Sequence, residues 1–341
     1  MDIGSAIVSI LASLSVSIGT VHYLIKKLLE HRFDKDLKDH QQKLDVMPAT
    51  AKHGFDQELT GIKAKFDEKL AITKTEVEAY AKKDVEEYLG ERAAERQYRL
   101  EAKKRLYAAI GPLRVQLVMA CSDFAGRIDR IGNGTQPYNT SLQGYFGKST
   151  AFRLLRIFGI SELIERQMAY ADFSVEPSMV VLLHFKKAAF RCLTSSTISL
   201  KHQNENWNDQ IEHIYYDRLS IIAAGIIVKE NAGNAQRVVR FDEFDNFVSD
   251  TRNLHAIEPV SSLLNSFKIE TKPILWLRFV ALGQLCNTFV EHEGTQLGII
   301  PEPFNGKNLI LASRDDTLVK EVARYTDMLQ GVASEILPTQ G

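Results

Sequence analysis

IGSAIVSILASLSVSIGTVHYLI, residues Ile3 to Ile25, decides how this chain is read. It lies between Asp2 and Lys26 and carries no formal charge over 23 residues. At about 1.5 Å of rise per residue, a helix of this length spans roughly 35 Å, enough for a hydrocarbon core of about 30 Å. His22 and Tyr23 fall near its far end, where an interfacial position suits them. Lys26, Lys27, Arg32 and Lys35 all come after the run and none precedes it, the reverse of a secretory signal peptide. The same asymmetry places the rest of the chain in the cytoplasm. The expectation is a single-pass transmembrane anchor over 1–25, in contact with membrane lipid. Within it Ser5, Ser9, Ser13 and Ser17 recur every fourth residue, a stripe of small hydroxyl-bearing side chains on which spans can pack and bond to one another.

Beyond the anchor the chain turns rich in Lys, Glu, Asp and Gln, with isolated apolar residues whose spacing sets the next element. Phe33, Leu44, Phe55, Phe66, Val77 and Tyr88 succeed one another at intervals of 11, with Leu59, Ile62 and Leu70 in supporting positions. A heptad begun at Phe55 and Leu59 accommodates Ile62 and Phe66 but then lands on Lys69 and Thr73, whereas the 11-residue period lands on Leu70. Eleven residues in three turns is about 3.67 per turn, the repeat of a straight or slightly right-handed bundle. A single helix with so thin an apolar stripe is poorly stabilised in water. Residues 26–107 therefore read as a coiled-coil stalk that associates with further copies of itself. Pro48 and the run after it to Gly54 predict a break near 46–54, and Gly111-Pro112 predicts a kink or division further on.

The remainder, 108–341, reads as an all-helical globular domain. Apolar periodicity predicts helices at about 101–130, 150–172, 177–199, 207–230, 241–254, 257–268, 273–292 and 315–336, with Leu219 to Val228 as the central core helix. Strand-like alternation is confined to Gly298–Ile300 and Leu309–Ala312, which suggest a small hairpin. The fold class is thus mainly α: a transmembrane helix, a coiled-coil stalk and a helical body.

Composition narrows the function classes. Forty-two Lys plus Arg oppose 43 Asp plus Glu, so no overall field favours nucleic acid as a partner. Cys121, Cys192 and Cys286 are too far apart in sequence for a paired zinc motif and read as buried thiols. The segment Gly144-Tyr-Phe-Gly147-Lys148-Ser149-Thr150 ends like a phosphate-binding loop, which makes Lys148 and Ser149 candidate phosphate contacts. The glycine such a loop needs is replaced by Leu142, however, and no strand leads in. The ordinary reading is a Ser/Thr cap at a helix start. Glu212, His213 and Asp217 could share a helical face, and Glu291, His292 and Glu293 form a compact cluster. Neither has zinc-protease spacing, and capping or ion pairing explains both.

No catalytic residue, metal ligand or cofactor is expected from these motifs. The chain reads as a membrane-anchored, oligomeric coiled-coil scaffold or sensor whose cytoplasmic helical domain binds a protein partner. The competing expectations are a membrane-perturbing or channel-forming effector of the bacterial-immunity type, gated by the helical domain, and a membrane-tethered enzyme whose site is built from scattered residues.

Overall fold

The computed structural model describes residues 49–336, apart from 135–137, 171, 231–234 and 266, together with Lys27 and Lys38. The expected anchor, with Ser5, Ser9, Ser13 and Ser17, and the first two residues of the expected seam, Phe33 and Leu44, lie outside the described residues. The protein is mainly helical, 75% helix and 2% strand. It divides into two units, Met1–Ala93 and Ala94–Gly341.

The first described helix, α1, runs from Ala49 to Asn133. A break near 46–54 would begin before it, but from Ala49 onward the helix continues through Gly54 and Gly61. Pro112 does not divide it either. A proline inside a helix removes one backbone hydrogen bond and crowds the preceding turn. Here that cost is met by burial on both sides, since Leu106, Ile110, Leu113, Leu117, Cys121, Phe124, Ile128 and Ile131 recur at helical spacing and are all buried.

In the unit Met1–Ala93 the described part of α1 is exposed over most of its surface. Phe55, Leu59 and Phe66 are half-buried, while Ile62 is 56% exposed, Leu70 41%, Val77 54% and Tyr88 49%. Ile72, Tyr80 and Leu89, which are not seam positions, are exposed as well.

The unit Ala94–Gly341 holds the end of α1 and then α2 (Tyr145–Met168), α3 (Val180–Thr194), α4 (Tyr216–Gly225), α5 (Phe241–Ser249), α6 (Thr251–Leu254), α7 (Val260–Leu264), α8 (Pro273–Phe289), α9 (Gly306–Leu311), α10 (Asp316–Lys320) and α11 (Val322–Ser334). A π-helical turn, Val290–Gly294, extends α8. The central element is α8, not Leu219 to Val228. Every residue of α8 except Gln284 and Thr288 is buried, and it packs against α3, α9 and α11. α1 meets it through Phe124 edge-on to Phe279, 6.4 Å between centroids, and through Gly132 beside Trp276.

The apolar residues from Leu219 instead form the short α4 and then strand β1 (Ile227–Lys229), which pairs antiparallel with β2 (Gln236–Val238) in the register Ile227 to Val238. Consecutive β-branched residues, Ile226, Ile227 and Val228, favour this extended stretch over continued helix. The hairpin expected near 298–312 is absent, because Leu309 and Ile310 turn their apolar side chains inward from α9.

The helix Pro273–Leu297 is long and apolar enough to cross a membrane, yet 89% of its apolar window is buried inside the protein. Length and hydropathy do not separate a span from a core helix, and burial assigns this one to the core.

Candidate functional site

The strongest candidate site lies where the loop 195–215 meets the first turns of α8. The loop begins at the end of α3, and its chain is turned by two consecutive left-handed residues, Leu200 (φ 49°) and Lys201 (φ 62°). That turn delivers His202 to the interior, where Nε2 lies 3.0 Å from Asp315 and Nδ1 accepts the N–H of Asn204 at 3.2 Å. An N–H donor on Nδ1 places the ring proton on Nε2, facing the carboxylate. Tyr325 fastens the same stretch by donating to the carbonyl of Ser199 at 3.0 Å.

Two charges are set at the helix ends they complement. Arg278, fully buried, donates from Nη1 to the carbonyls of Ser195 (2.7 Å) and Cys192 (3.2 Å) at the C-terminal end of α3, and from Nη2 to Glu205 (3.3 Å). A cation satisfies carbonyls that the helix leaves open there. Glu212 does the converse at the start of α8, where its Oε2 accepts the N–H groups of Ile274 (2.7 Å) and Leu275 (2.9 Å). Pro273 has no N–H to satisfy, and Trp276 already bonds to the carbonyl of Lys272, so Glu212 completes the first turn. Burial pulls the Arg278 guanidinium down to about 10 and raises the Glu212 carboxyl above its ordinary value, despite the two N–H donors.

His213 lies against Trp207, with ring centroids 4.0 Å apart and planes tilted by 51°, and the Arg278 guanidinium lies 5.5 Å from the Trp207 ring. His213 is buried, and burial together with the Arg278 charge lowers its pKa, so the ring is neutral. Among the described residues its Nε2 has no hydrogen-bond partner, and neither has Arg278 Nε. Between these groups is a cavity of about 90 Å³, lined by Asn204, Glu205, Asp209, Glu212, His213 and Arg278 among others. A second cavity, beside Asp129 and Glu302, measures about 10 Å³ and holds no more than one water.

Sequence reasoning placed Glu212 and His213 on a helical face with Asp217. The helix begins only at Tyr216, so Glu212 and His213 belong to the loop and reach two different partners. Arg278 was missed. A lone arginine inside a strongly apolar helical run is the signal that could have found it, because such a charge needs a built set of acceptors.

The other motifs find internal partners. Lys148 Nζ lies 2.6 Å from Asp245 and 3.3 Å from Ser249. Ser149 is buried and accepts from Arg127 at 3.0 Å. The helix starts at Tyr145, ahead of the expected Ser/Thr cap, with Gly144 at the cap position. A side chain at Gly147 would strike the carbonyl oxygens of Ser141 and Thr140, so the preceding loop closes over this helix start. In the Glu291 to Glu293 cluster, Glu293 pairs with Arg114 and His292, and Glu291 accepts from Asn287. Among the described residues no group of three or more His, Cys, Asp or Glu is placed to hold a metal ion. All three cysteines are free and buried.

No protein family, curated protein or solved structure matches the chain, so the site is read from its own residues.

Proposed function

We propose that the protein is a membrane-anchored, self-associating sensor or scaffold. Residues 1–25 tether it, the helical seam in Met1–Ala93 joins copies of the chain in parallel, and the helical body carries the recognition site at the start of α8. The observation that carries this reading is the exposure of Ile62, Leu70 and Val77 on a helix whose apolar residues recur at 11-residue spacing. Exposure alone does not select the seam, because Ile72, Tyr80 and Leu89 are exposed too; the period does. Copies held in one orientation by the anchor present identical seams side by side, which makes a second copy of this chain the natural cover. The cytoplasmic placement of the body rests on the basic residues after the apolar run.

The test compares the full chain with a chain starting at Lys26, and with a full-length variant carrying Ile62→Lys, Leu70→Lys and Val77→Lys. Each is separated into membrane and soluble fractions, and its mass in detergent or buffer is measured by light scattering. The full chain is expected in membranes as an oligomer, the shortened chain in the soluble fraction as an oligomer, and the lysine variant in membranes at reduced mass. A soluble full chain refutes the anchor. An unchanged mass in the lysine variant refutes the seam.

A further inference from the structure

We propose that the cavity at the start of α8 binds the head of a small organic cation, an ammonium or guanidinium group carrying N–H donors. Size sets the first limit. Ligand pockets for drug-sized molecules run to about 300–1,000 Å³, whereas this cavity holds about 90 Å³. It admits a few heavy atoms, which excludes a nucleotide and fits a terminal charged group or a very small molecule.

Charge sets the second limit. Three carboxylates, Glu205, Asp209 and Glu212, line the cavity against one guanidinium, Arg278. Glu205 matches Arg278, and two carbonyls take further guanidinium hydrogens. Asp209 accepts the neutral amide of Asn206 at 2.8 Å, and Glu212 accepts two backbone N–H groups with the charge of Lys272 near it; neither forms an ion pair with a cavity-lining residue. An anion entering here would find one orphan donor, Arg278 Nε, but would also meet the carboxylates of Asp209 and Glu212, neither of them ion-paired, so the field favours a cation.

The third observation is independent of the acids. His213 lines the cavity, is 2% exposed and has an Nε2 without a partner among the described residues. A neutral imidazole carries one N–H and one acceptor nitrogen, and a ligand that donates to Nε2 holds the ring in the Nδ1–H tautomer, with Nε2 as the acceptor. A buried acceptor left open is costly unless something donates to it. A metal ion would need a grouped ligand set, which the described residues do not provide here. An N–H cation needs only separated acceptors, and Asp209, Glu212 and His213 supply them, with Ile211 and Ile274 as the apolar walls.

This inference gives the sensor reading its ligand class and rests on that reading for its biological meaning, but its test is separate. The full chain in detergent is titrated with methylammonium and methylguanidinium by calorimetry. Sodium, potassium, calcium, acetate and phosphate serve as comparison probes, and oligomer mass is tracked on the same samples. Saturable binding of at least one organic cation is expected, weakened at least tenfold by Asp209→Asn or by Ile211→Trp. Both substitutions fall on exposed residues, and folding is verified by circular dichroism. No binding of either organic cation, preferential binding of acetate, phosphate or a metal ion, or cation binding indifferent to both substitutions overturns the proposal. An oligomer that persists when no cation binds sinks this inference and leaves the anchored-oligomer reading standing; a monomer that still binds the cation does the opposite.

Discussion

Replacing Glu212 tests the idea that a loop carboxylate completes the first turn of the central helix. In Glu212→Ala, the N–H groups of Ile274 and Leu275 lose their acceptor, and both residues are buried. An unsatisfied buried donor costs about 1–3 kcal/mol, so two cost about 2–6 kcal/mol before relief. The cavity reaches Ile274, and a water entering it restores part of that loss, which brings the expected destabilisation to about 2–4 kcal/mol. Glu212→Gln keeps an acceptor oxygen and gives up the charge. It forfeits an attraction to the helix dipole of about 0.3–1 kcal/mol and escapes the burial penalty on a carboxylate, so it is expected within about 1 kcal/mol of the wild type. The pH dependence comes from the raised Glu212 pKa. The folded chain takes up this proton at a pH where the unfolded carboxyl, ordinarily at 4.5, is still ionised. Wild-type stability therefore gains as pH falls through the raised value toward 4.5, and the Gln variant lacks that gain. Urea unfolding of the full chain in detergent, monitored by circular dichroism and by the fluorescence of Trp207 and Trp276, measures all three proteins. A Glu212→Ala protein as stable as the wild type, or a Gln variant as costly as the Ala one, refutes the reasoning.

Arg278→Met removes the guanidinium that serves two α3 carbonyls and Glu205, and is expected to cost about 3–5 kcal/mol. Adding Glu205→Gln should recover part of it, and a double-mutant cycle in urea with no coupling counts against the pair. Gly147→Ala drives a Cβ into the carbonyl oxygens of Ser141 and Thr140, backbone atoms that cannot swing aside as a flexible side-chain end would. It should cost at least about 2 kcal/mol. At Gly331, inside α11, an added Cβ meets nothing within 4 Å, and Gly331→Ala should gain about 0.5–1 kcal/mol, so the two variants must move the melting temperature in opposite directions. His213, its pKa lowered by burial from 6.5, faces the charges of Arg278 and Glu205. Its stabilising contribution is whole above 6.5 and is lost as pH falls from there toward the lowered value, because the unfolded chain takes the proton first. His213→Gln should flatten the stability profile in that window, and an unchanged slope there removes His213 as its source.

Much of the helical body was legible because apolar periodicity depends on local geometry. The helices expected at about 150–172 and 241–254 are matched by α2 (Tyr145–Met168) and α5 (Phe241–Ser249), and in α5 Phe244 and Val248, four positions apart, share a buried face. What sequence could not supply was the contest between neighbouring preferences. Pro112 looked like a division of α1, but the burial of Leu106, Ile110, Leu113 and Leu117 on either side keeps the helix whole. Leu309 and Ile310 alternate poorly as strand residues, and their inward placement comes from α9 packing on α8 and α11. At the site, Glu212 and Arg278 are 66 positions apart, and nothing local to either shows that one will cap α8 while the other closes α3.

The same limit bears on the chain's two long apolar stretches. Pro273 to Leu297 passes the length and hydropathy test for a membrane span but holds Arg278, a charge that is tolerated because Ser195, Cys192 and Glu205 stand ready around it. A span facing lipid would have no such acceptors and would select against the arginine. Ile3 to Ile25 has no charge, only hydroxyls that can bond to their own preceding turn or to a neighbouring copy, so its sequence demands no protein cover. Placing one lysine at Ser9 separates the two cases. In a lipid-facing helix this off-centre charge costs somewhat less than the ~2.5–3.5 kcal/mol of a lysine at the midplane, and should still shift the full chain measurably toward the soluble fraction. In a helix covered by protein, membrane partition should not change, and that result would mean that residues 3–25 are not the anchor.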